Sequence, residues 1–137
     1  MVSTIEISWL AGILEGEGAF TNSGKWQQPK IMLKMTDMDV VAKVAALFCR
    51  KMNGPYKLPS GKAVWVTTAT DYNAISWMYT LYTFLGIRRR QKIREIVATW
   101  KSRPGSKATQ FKKDEQISYI LQDTMALLYG TNQSTTP

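Results

Sequence analysis

The sequence predicts an α+β protein with one antiparallel sheet and helices on one face of that sheet. A helix-type pattern opens the chain, two strand-type segments follow it, and this succession occurs a second time before further helices. Strands joined by short turns pair antiparallel, and helices bury their apolar sides against a sheet. The expected order is therefore αββαββα.

The first helix begins at a capping box, with Ser3 as the N-cap and Glu6 three residues later. Each side chain of this motif satisfies a backbone amide at the other residue. Apolar residues continue to Leu14, and we expect Gly16 and Gly18 to end the helix.

The first strand pair is expected at residues 19–22 and 28–36, joined by a polar turn. In the second segment apolar residues at 31, 33 and 35 alternate with Lys30, Met32 and Lys34. A period of two indicates a strand with one buried face and one open face. The open face therefore carries both lysines.

The second half repeats the pattern. Thr36 and Asp37 favour a helix start, and Asn53-Gly54-Pro55 is expected to end that helix near residue 52. Ser60-Gly61 is typical of a hairpin turn, and Asp71 can cap the next helix. The remaining predicted elements are strands at 56–58 and 63–70 and helices at 72–85, 88–100 and 113–129.

Composition indicates one domain and excludes several kinds of site. The chain has 137 residues, no histidine and one cysteine. These counts exclude histidine-dependent catalysis, histidine-ligated zinc and an intrachain disulfide. No apolar segment reaches the roughly 20 residues that span a bilayer. We expect one domain over residues 1–130, a flexible tail over 131–137, no membrane partner and an intracellular location.

The basic residues are concentrated in one segment. The formal net charge is +8, and residues 84–113 hold ten basic residues and one acid, against eight basic and nine acidic residues elsewhere. One basic segment on a nearly neutral body indicates a polyanion partner, and nucleic acid fits better than a membrane surface. The alternative is a solvated helix face.

Residues 10–18 (LAGILEGEG) are the most informative segment. Gly12 and Gly16 lie on one side of the helix, where glycine is unfavourable unless another backbone approaches closely. Glu15 and Glu17 stand at the negative end of the helix dipole, and a divalent cation would offset that cost. The alternative is an ordinary glycine-stopped helix with two solvated acids.

This segment resembles the motif of the LAGLIDADG homing endonucleases. Leu10, Ala11, Gly12 and Gly18 are identical to it, Gly16 takes the place of an alanine, and glutamates at 15 and 17 replace two aspartates. The Phe84-Leu85 pair before the basic helix is also similar to the family. The resemblance covers roughly residues 3–129, including the αββαββα order.

The resemblance implies a homodimer that cuts double-stranded DNA at a long, roughly palindromic site, with Mg²⁺ or Mn²⁺ as cofactor, as in intron or intein mobility. The implied metal ligands are Glu17 and Gly16, and the implied catalytic residues are Glu17, Arg88 and Asp37. Arg89 and Arg90 are the alternatives to Arg88, since the match leaves a shift of one residue open. A plain helix cap is the alternative for Asp37. The implied dimer interface consists of Leu10, Ala11, Gly12, Ile13 and Gly16.

The resemblance also makes the open sheet face the DNA-reading surface. Alternation in the last strand places either residues 65, 67 and 69 or residues 64, 66 and 68 on that face, and the resemblance favours the first set. Lysine and glutamine suit base contacts in the major groove. The expected DNA-binding residues are Lys25, Gln27, Gln28, Lys30, Met32, Lys34, Lys57, Ser60, Lys62, Trp65, Thr67, Arg89 and Arg90.

Two other functions remain open at this point. Glutamates in place of both motif aspartates, and the extra acid Asp37, are compatible with a catalytically inactive binding protein, such as an intron RNA maturase or a DNA-binding regulator. A basic structural protein with a chance motif would bind nucleic acid without sequence preference.

Overall fold

The computed structural model describes residues 2–103 of the chain. The predicted helix at 113–129 and the predicted tail at 131–137 lie outside these residues. Within them the predicted order is confirmed. The elements are α1 (Thr4–Glu17), β1 (Gly18–Ser23), β2 (Gln28–Met35), α2 (Met38–Phe48), β3 (Met52–Lys57), β4 (Ala63–Thr70), α3 (Asp71–Leu81), a 3-10 turn (Tyr82–Phe84) and α4 (Ile87–Ser102).

The four strands form one antiparallel sheet in the order β1-β2-β4-β3. One face of the sheet packs on the helices, and Ile31, Leu33 and Ala69 are fully buried there. Burying a leucine or isoleucine side chain contributes roughly 1.5–3 kcal/mol. The helices complete this core with Leu10, Leu14, Val41, Val44, Ile75, Met78, Ile96 and Trp100.

The predicted capping box at the start of α1 is confirmed. The Glu6 amide donates to Ser3 Oγ at 3.1 Å, and the Ser3 amide donates to Glu6 Oε2 at 2.9 Å. At its other end α1 passes directly into β1 at Gly18. A Cβ atom on Gly18 would lie 2.8 Å from the Leu14 carbonyl oxygen, so this abrupt passage requires glycine.

The prediction that α2 continues to residue 52 is wrong. The helix ends at Phe48, because Cys49 adopts a left-handed conformation with φ 54°. Asn53-Gly54-Pro55 therefore does not break a helix but lies in the edge strand β3, at an irregularity between Asn53 and Tyr56. An edge strand tolerates proline because one side of its backbone needs no ladder hydrogen bonds.

The third helix also differs from its predicted limits. Asp71 does not cap α3 but is its first residue, and Thr70 occupies the N-cap position. The helix ends at Leu81, and a 3-10 turn leads to Gly86, the N-cap of α4.

Within residues 2–103, no helix is both long enough and apolar enough to cross a membrane.

Candidate active site

Glu17 and Asp37 lie at the same end of the sheet. Glu17 directly precedes Gly18, which pairs with Leu33 near the end of β2, and Asp37 follows β2 by two residues. Both side chains are exposed. Asp37 takes the N-cap position of α2 through its backbone, but its carboxylate makes no capping hydrogen bond. Capping therefore does not account for the Asp37 carboxylate.

The end of α1 offers oxygen ligands of the kind that hard cations prefer. Glu17 supplies an exposed carboxylate that makes no hydrogen bond or ion pair within residues 2–103. Gly16 precedes it at the carbonyl end of the helix. Mg²⁺ is bound by carboxylate and carbonyl oxygens, so these residues fit such an ion. Among the described residues, no three His, Cys, Asp or Glu side chains cluster to hold a metal.

Glu15 is engaged elsewhere. Its Oε1 accepts a hydrogen bond from the Gly86 amide at 3.1 Å, and its Oε2 lies 3.7 Å from Arg89 Nε. Arg89 Nη2 also donates to the Glu15 carbonyl oxygen at 3.2 Å. The two acids of the segment therefore have different surroundings, and Glu15 joins the end of α1 to the start of α4.

These contacts also bear on the predicted DNA contacts of Arg89 and Arg90. The Arg89 side chain is only 16% exposed, and its guanidinium lies 5.7 Å from the centre of the Phe20 ring. Arg90 is half-buried, with its Nε shielded from solvent. Arg89 thus makes these contacts within its own chain while it also lines an open cleft, and its DNA contact stays a prediction.

Arg88 is exposed in the first turn of α4, beside the contact between Glu15 and Gly86. It borders an open cleft of about 420 Å³ between α4 and β1. The other residues that line this cleft are Phe20, Arg89, Gln91, Lys92 and Glu95. Arg88 is therefore free to contact a ligand near the end of α1 that carries Glu17.

One face of α1 has no neighbour among residues 2–103. A Cβ atom built on Gly12 or Gly16 would meet none of these residues within 4 Å. Ile5 and Ser8 share this face, and Ile5 is 82% exposed. We call Ile5, Ser8, Gly12 and Gly16 the open α1 face. Packing within the described chain therefore does not explain the two glycines.

The predicted interface is wrong at Leu10 and Ala11. Both side chains are buried in the core of their own chain. The cause is the helical period, since these residues lie on the side of α1 that carries Ile7 and Leu14. Ile13 is half-buried at the border between the two sides.

The open face of the sheet carries Lys30, Met32 and Lys34, opposite the buried Ile31 and Leu33, as predicted. The strand register pairs Lys34 with Val66, Met32 with Thr68 and Lys30 with Thr70. Paired residues project on the same side of a sheet. Val66, Thr68 and Thr70 therefore lie on the open face.

The predicted placement of Trp65 and Thr67 on the open face is wrong. They pair with Met35 and Leu33 and face the helices. Thr67 is fully buried, and its Oγ1 donates to the Lys51 carbonyl oxygen at 3.0 Å. Both sets of alternating residues contain apolar and hydroxyl side chains, so the alternation alone did not distinguish them.

The remaining predicted contacts lie in or next to the two hairpin turns, which the register places at opposite ends of the sheet. All are exposed except the half-buried Gln28: Lys25, Gln27, Gln28, Lys57, Ser60 and Lys62. Sequence reasoning missed Trp26 in the first turn, which is 70% exposed with Lys25 Nζ 5.4 Å from its ring centre. Its position between two predicted contacts was an available signal.

The sheet is electrostatically suited to a polyanion. None of the residues in the four strands is aspartate or glutamate, whereas Lys30, Lys34 and Lys57 lie in them. The exposed acids Glu17 and Asp37 stand at one end of the sheet, outside its strands. A negatively charged phosphate backbone could thus lie across the four strands without meeting a carboxylate from them.

Comparisons with known proteins identify the fold. No protein-family model and no curated protein sequence matches the chain. The homing endonuclease I-TnaI is similar in structure, with a TM-score of 0.53 and 12% identity over 93% of this chain and 91% of that chain. The archaeal intron-encoded homing endonuclease I-Vdi141I, complexed with DNA, gives a TM-score of 0.52 and 14% identity over 90% of this chain and 96% of that chain.

The homing endonuclease I-CvuI, in complex with its target in the presence of Ca, gives a TM-score of 0.50 and 10% identity over 93% of this chain and 84% of that chain. These neighbours are single-motif LAGLIDADG proteins. The chain therefore has the LAGLIDADG homing endonuclease fold, as the sequence predicted.

Proposed function

We propose that this protein is a site-specific double-stranded DNA endonuclease that acts as a homodimer at a long, roughly palindromic site. The observation that carries the proposal is the position of Glu17. Its exposed, unpaired carboxylate stands where the open α1 face ends and the acid-free sheet begins. The similarity in fold to homing endonucleases supports this function.

The open sheet face is the proposed DNA-binding surface. The major groove of B-DNA admits β-strands, and lysine can contact guanine there. Lys30 and Lys34 project from the open face of β2 on either side of Met32, which pairs with Thr68 of β4. Lysines in the turns would add salt-sensitive contacts to phosphates.

The open α1 face is the proposed dimer interface. Gly12 and Gly16 let a second helix approach closely, and a two-fold axis requires a patch that complements itself. Such an axis would bring the two copies of Glu17 together. The second chain would then complete the ligand set that one chain supplies in part.

Glu17 and the Gly16 carbonyl are the proposed metal-binding groups. A bound Mg²⁺ would supply Lewis-acid stabilisation and make water a better nucleophile. Arginine is a poor general base in proteins, so we assign Arg88 the stabilisation of negative charge on the reacting phosphate. Asp37 would hold the attacking water by accepting its hydrogen bond. The reaction is hydrolysis of one phosphodiester bond in each strand.

The test is cleavage of a randomised DNA library with Mg²⁺, with EDTA in place of Mg²⁺ as a control. The Glu17→Gln variant should bind the selected site but cut it at least about 100-fold more slowly, the usual cost of losing one electrostatic stabiliser. Asp39→Asn removes another exposed acid, in the first turn of α2, and should cut normally.

Full cutting by Glu17→Gln would contradict the assignment of Glu17. Specific binding by the wild-type protein without any cutting would instead favour a catalytically inactive nucleic-acid-binding protein, with RNA as the next ligand to test.

A further inference from the structure

Two helix ends meet at Glu15. Its side chain accepts a hydrogen bond from the Gly86 amide at the start of α4, and its carbonyl oxygen accepts one from Arg89 Nη2. Both partners are more than 70 residues away along the chain. This pair of contacts, which we call the Glu15 clamp, fastens the carbonyl end of α1 to the amide end of α4.

The clamp is electrostatically complementary. The amide end of a helix carries partial positive charge and favours an acid, while the carbonyl end carries partial negative charge and favours a base. The negative charge of Glu15 lies at the amide end of α4, and the positive charge of Arg89 lies at the carbonyl end of α1. The 3.7 Å approach of Arg89 Nε to Glu15 Oε2 adds a direct attraction between the two side chains.

Gly86 leaves the space that the clamp requires. A Cβ atom at this position would overlap Glu15 Oε1. The backbone of Gly86 has φ −73° and ψ 170°, which alanine adopts without strain. An alanine here would therefore displace the Glu15 carboxylate rather than distort the backbone.

The clamp joins two segments that each carry a proposed catalytic group nearby in the chain. Glu17 lies two residues beyond Glu15 in the chain, and Arg88 lies two residues beyond Gly86. We infer that Glu15 is a positioning residue that fixes Arg88 relative to Glu17, and that it is not a metal ligand. This inference rests on the proposed endonuclease function.

The experiment compares Glu15→Ala, Glu15→Gln and Gly86→Ala with the wild-type protein. Single-turnover cutting, DNA affinity, the Mg²⁺ concentration for half-maximal cutting and the unfolding midpoint are measured for each. Thr83→Ala, an exposed change in the preceding turn, is the matched control for the alanine variants.

Glu15→Ala and Gly86→Ala should each slow cutting by roughly 10- to 100-fold, because small misplacements of catalytic groups carry large costs in rate. DNA affinity and the Mg²⁺ requirement should stay unchanged. Glu15→Gln should retain most of the rate, since its amide oxygen can still accept the Gly86 N–H. Thr83→Ala should behave as the wild-type protein.

Two results would overturn the inference. A raised Mg²⁺ requirement in Glu15→Gln, with cutting as slow as in Glu15→Ala, would make Glu15 a metal ligand. Wild-type cutting by Gly86→Ala would show that the clamp positions nothing. A wild-type protein that does not cut would refute the proposed function, and hydrogen exchange at the Gly86 amide would still test the clamp. Faster exchange in Glu15→Ala supports the clamp, and unchanged exchange refutes it.

Discussion

Glu15 and Glu17 are two residues apart, and the helical period turns their carboxylates toward different surroundings. Glu15 contacts α4, whereas Glu17 remains exposed at the end of α1. The sequence pattern predicts that both acids lie at the negative end of a helix. It does not predict that the start of α4 packs against Glu15. The capping box at Ser3 was predictable because its two partners are three residues apart, whereas the partner of Glu15 is 71 residues away.

The residue at position 49 should affect the free energy of unfolding through its backbone conformation. It ends α2 in a left-handed conformation with φ 54°, and its side chain is exposed. This conformation costs about 1 kcal/mol for a residue with a Cβ atom and almost nothing for glycine. Cys49→Gly should therefore be more stable than Cys49→Ala by up to about 1 kcal/mol in urea unfolding. Both variants lack the thiol, so equal stabilities would contradict the argument.

At the scale of the elements, the strands show where sequence periodicity is sufficient. In β2 lysines alternate with aliphatic residues, and the buried face was predicted correctly. In β4 threonines occur on both faces, so periodicity leaves two possibilities. The pairing of Thr67 with Leu33 decides between them, and that pairing joins residues 34 positions apart in the chain.

Thr67 and Thr68 therefore form a matched pair for testing the register of β4. Thr67→Val should destabilise the protein by about 1 kcal/mol, because the Lys51 carbonyl loses its buried hydrogen-bond donor. Thr68→Val changes the neighbouring residue on the open face and should leave the unfolding free energy almost unaltered. Thermal unfolding of both variants is the measurement. A larger loss of stability in Thr68→Val than in Thr67→Val would show that Thr68, and not Thr67, faces the core.

In the whole molecule, two surfaces meet beside Glu17 at the end of α1. The open α1 face lacks neighbours in the described chain, the sheet face lacks acids, and Glu17 lies at the boundary between them. Each surface alone has an ordinary explanation, such as a solvated helix or a polar sheet. Their convergence at one exposed carboxylate favours a site that is completed by a second chain and occupied by a polyanion.

In the proposed dimer, Gly12 separates association from folding. Nothing within the described chain lies within 4 Å of a Cβ atom at this position, so Gly12→Leu fits the folded protomer. Leucine also favours the helix over glycine by roughly 0.8–1 kcal/mol. The free energy of unfolding of the Gly12→Leu protomer should therefore be at least that of the wild-type protomer. In sedimentation, Gly12→Leu should be a monomer at concentrations where the wild-type protein is a dimer. Ala46→Leu, on the exposed side of α2, is the control and should still dimerise. A Gly12→Leu variant that dimerises with unchanged affinity would place the interface somewhere other than the open α1 face.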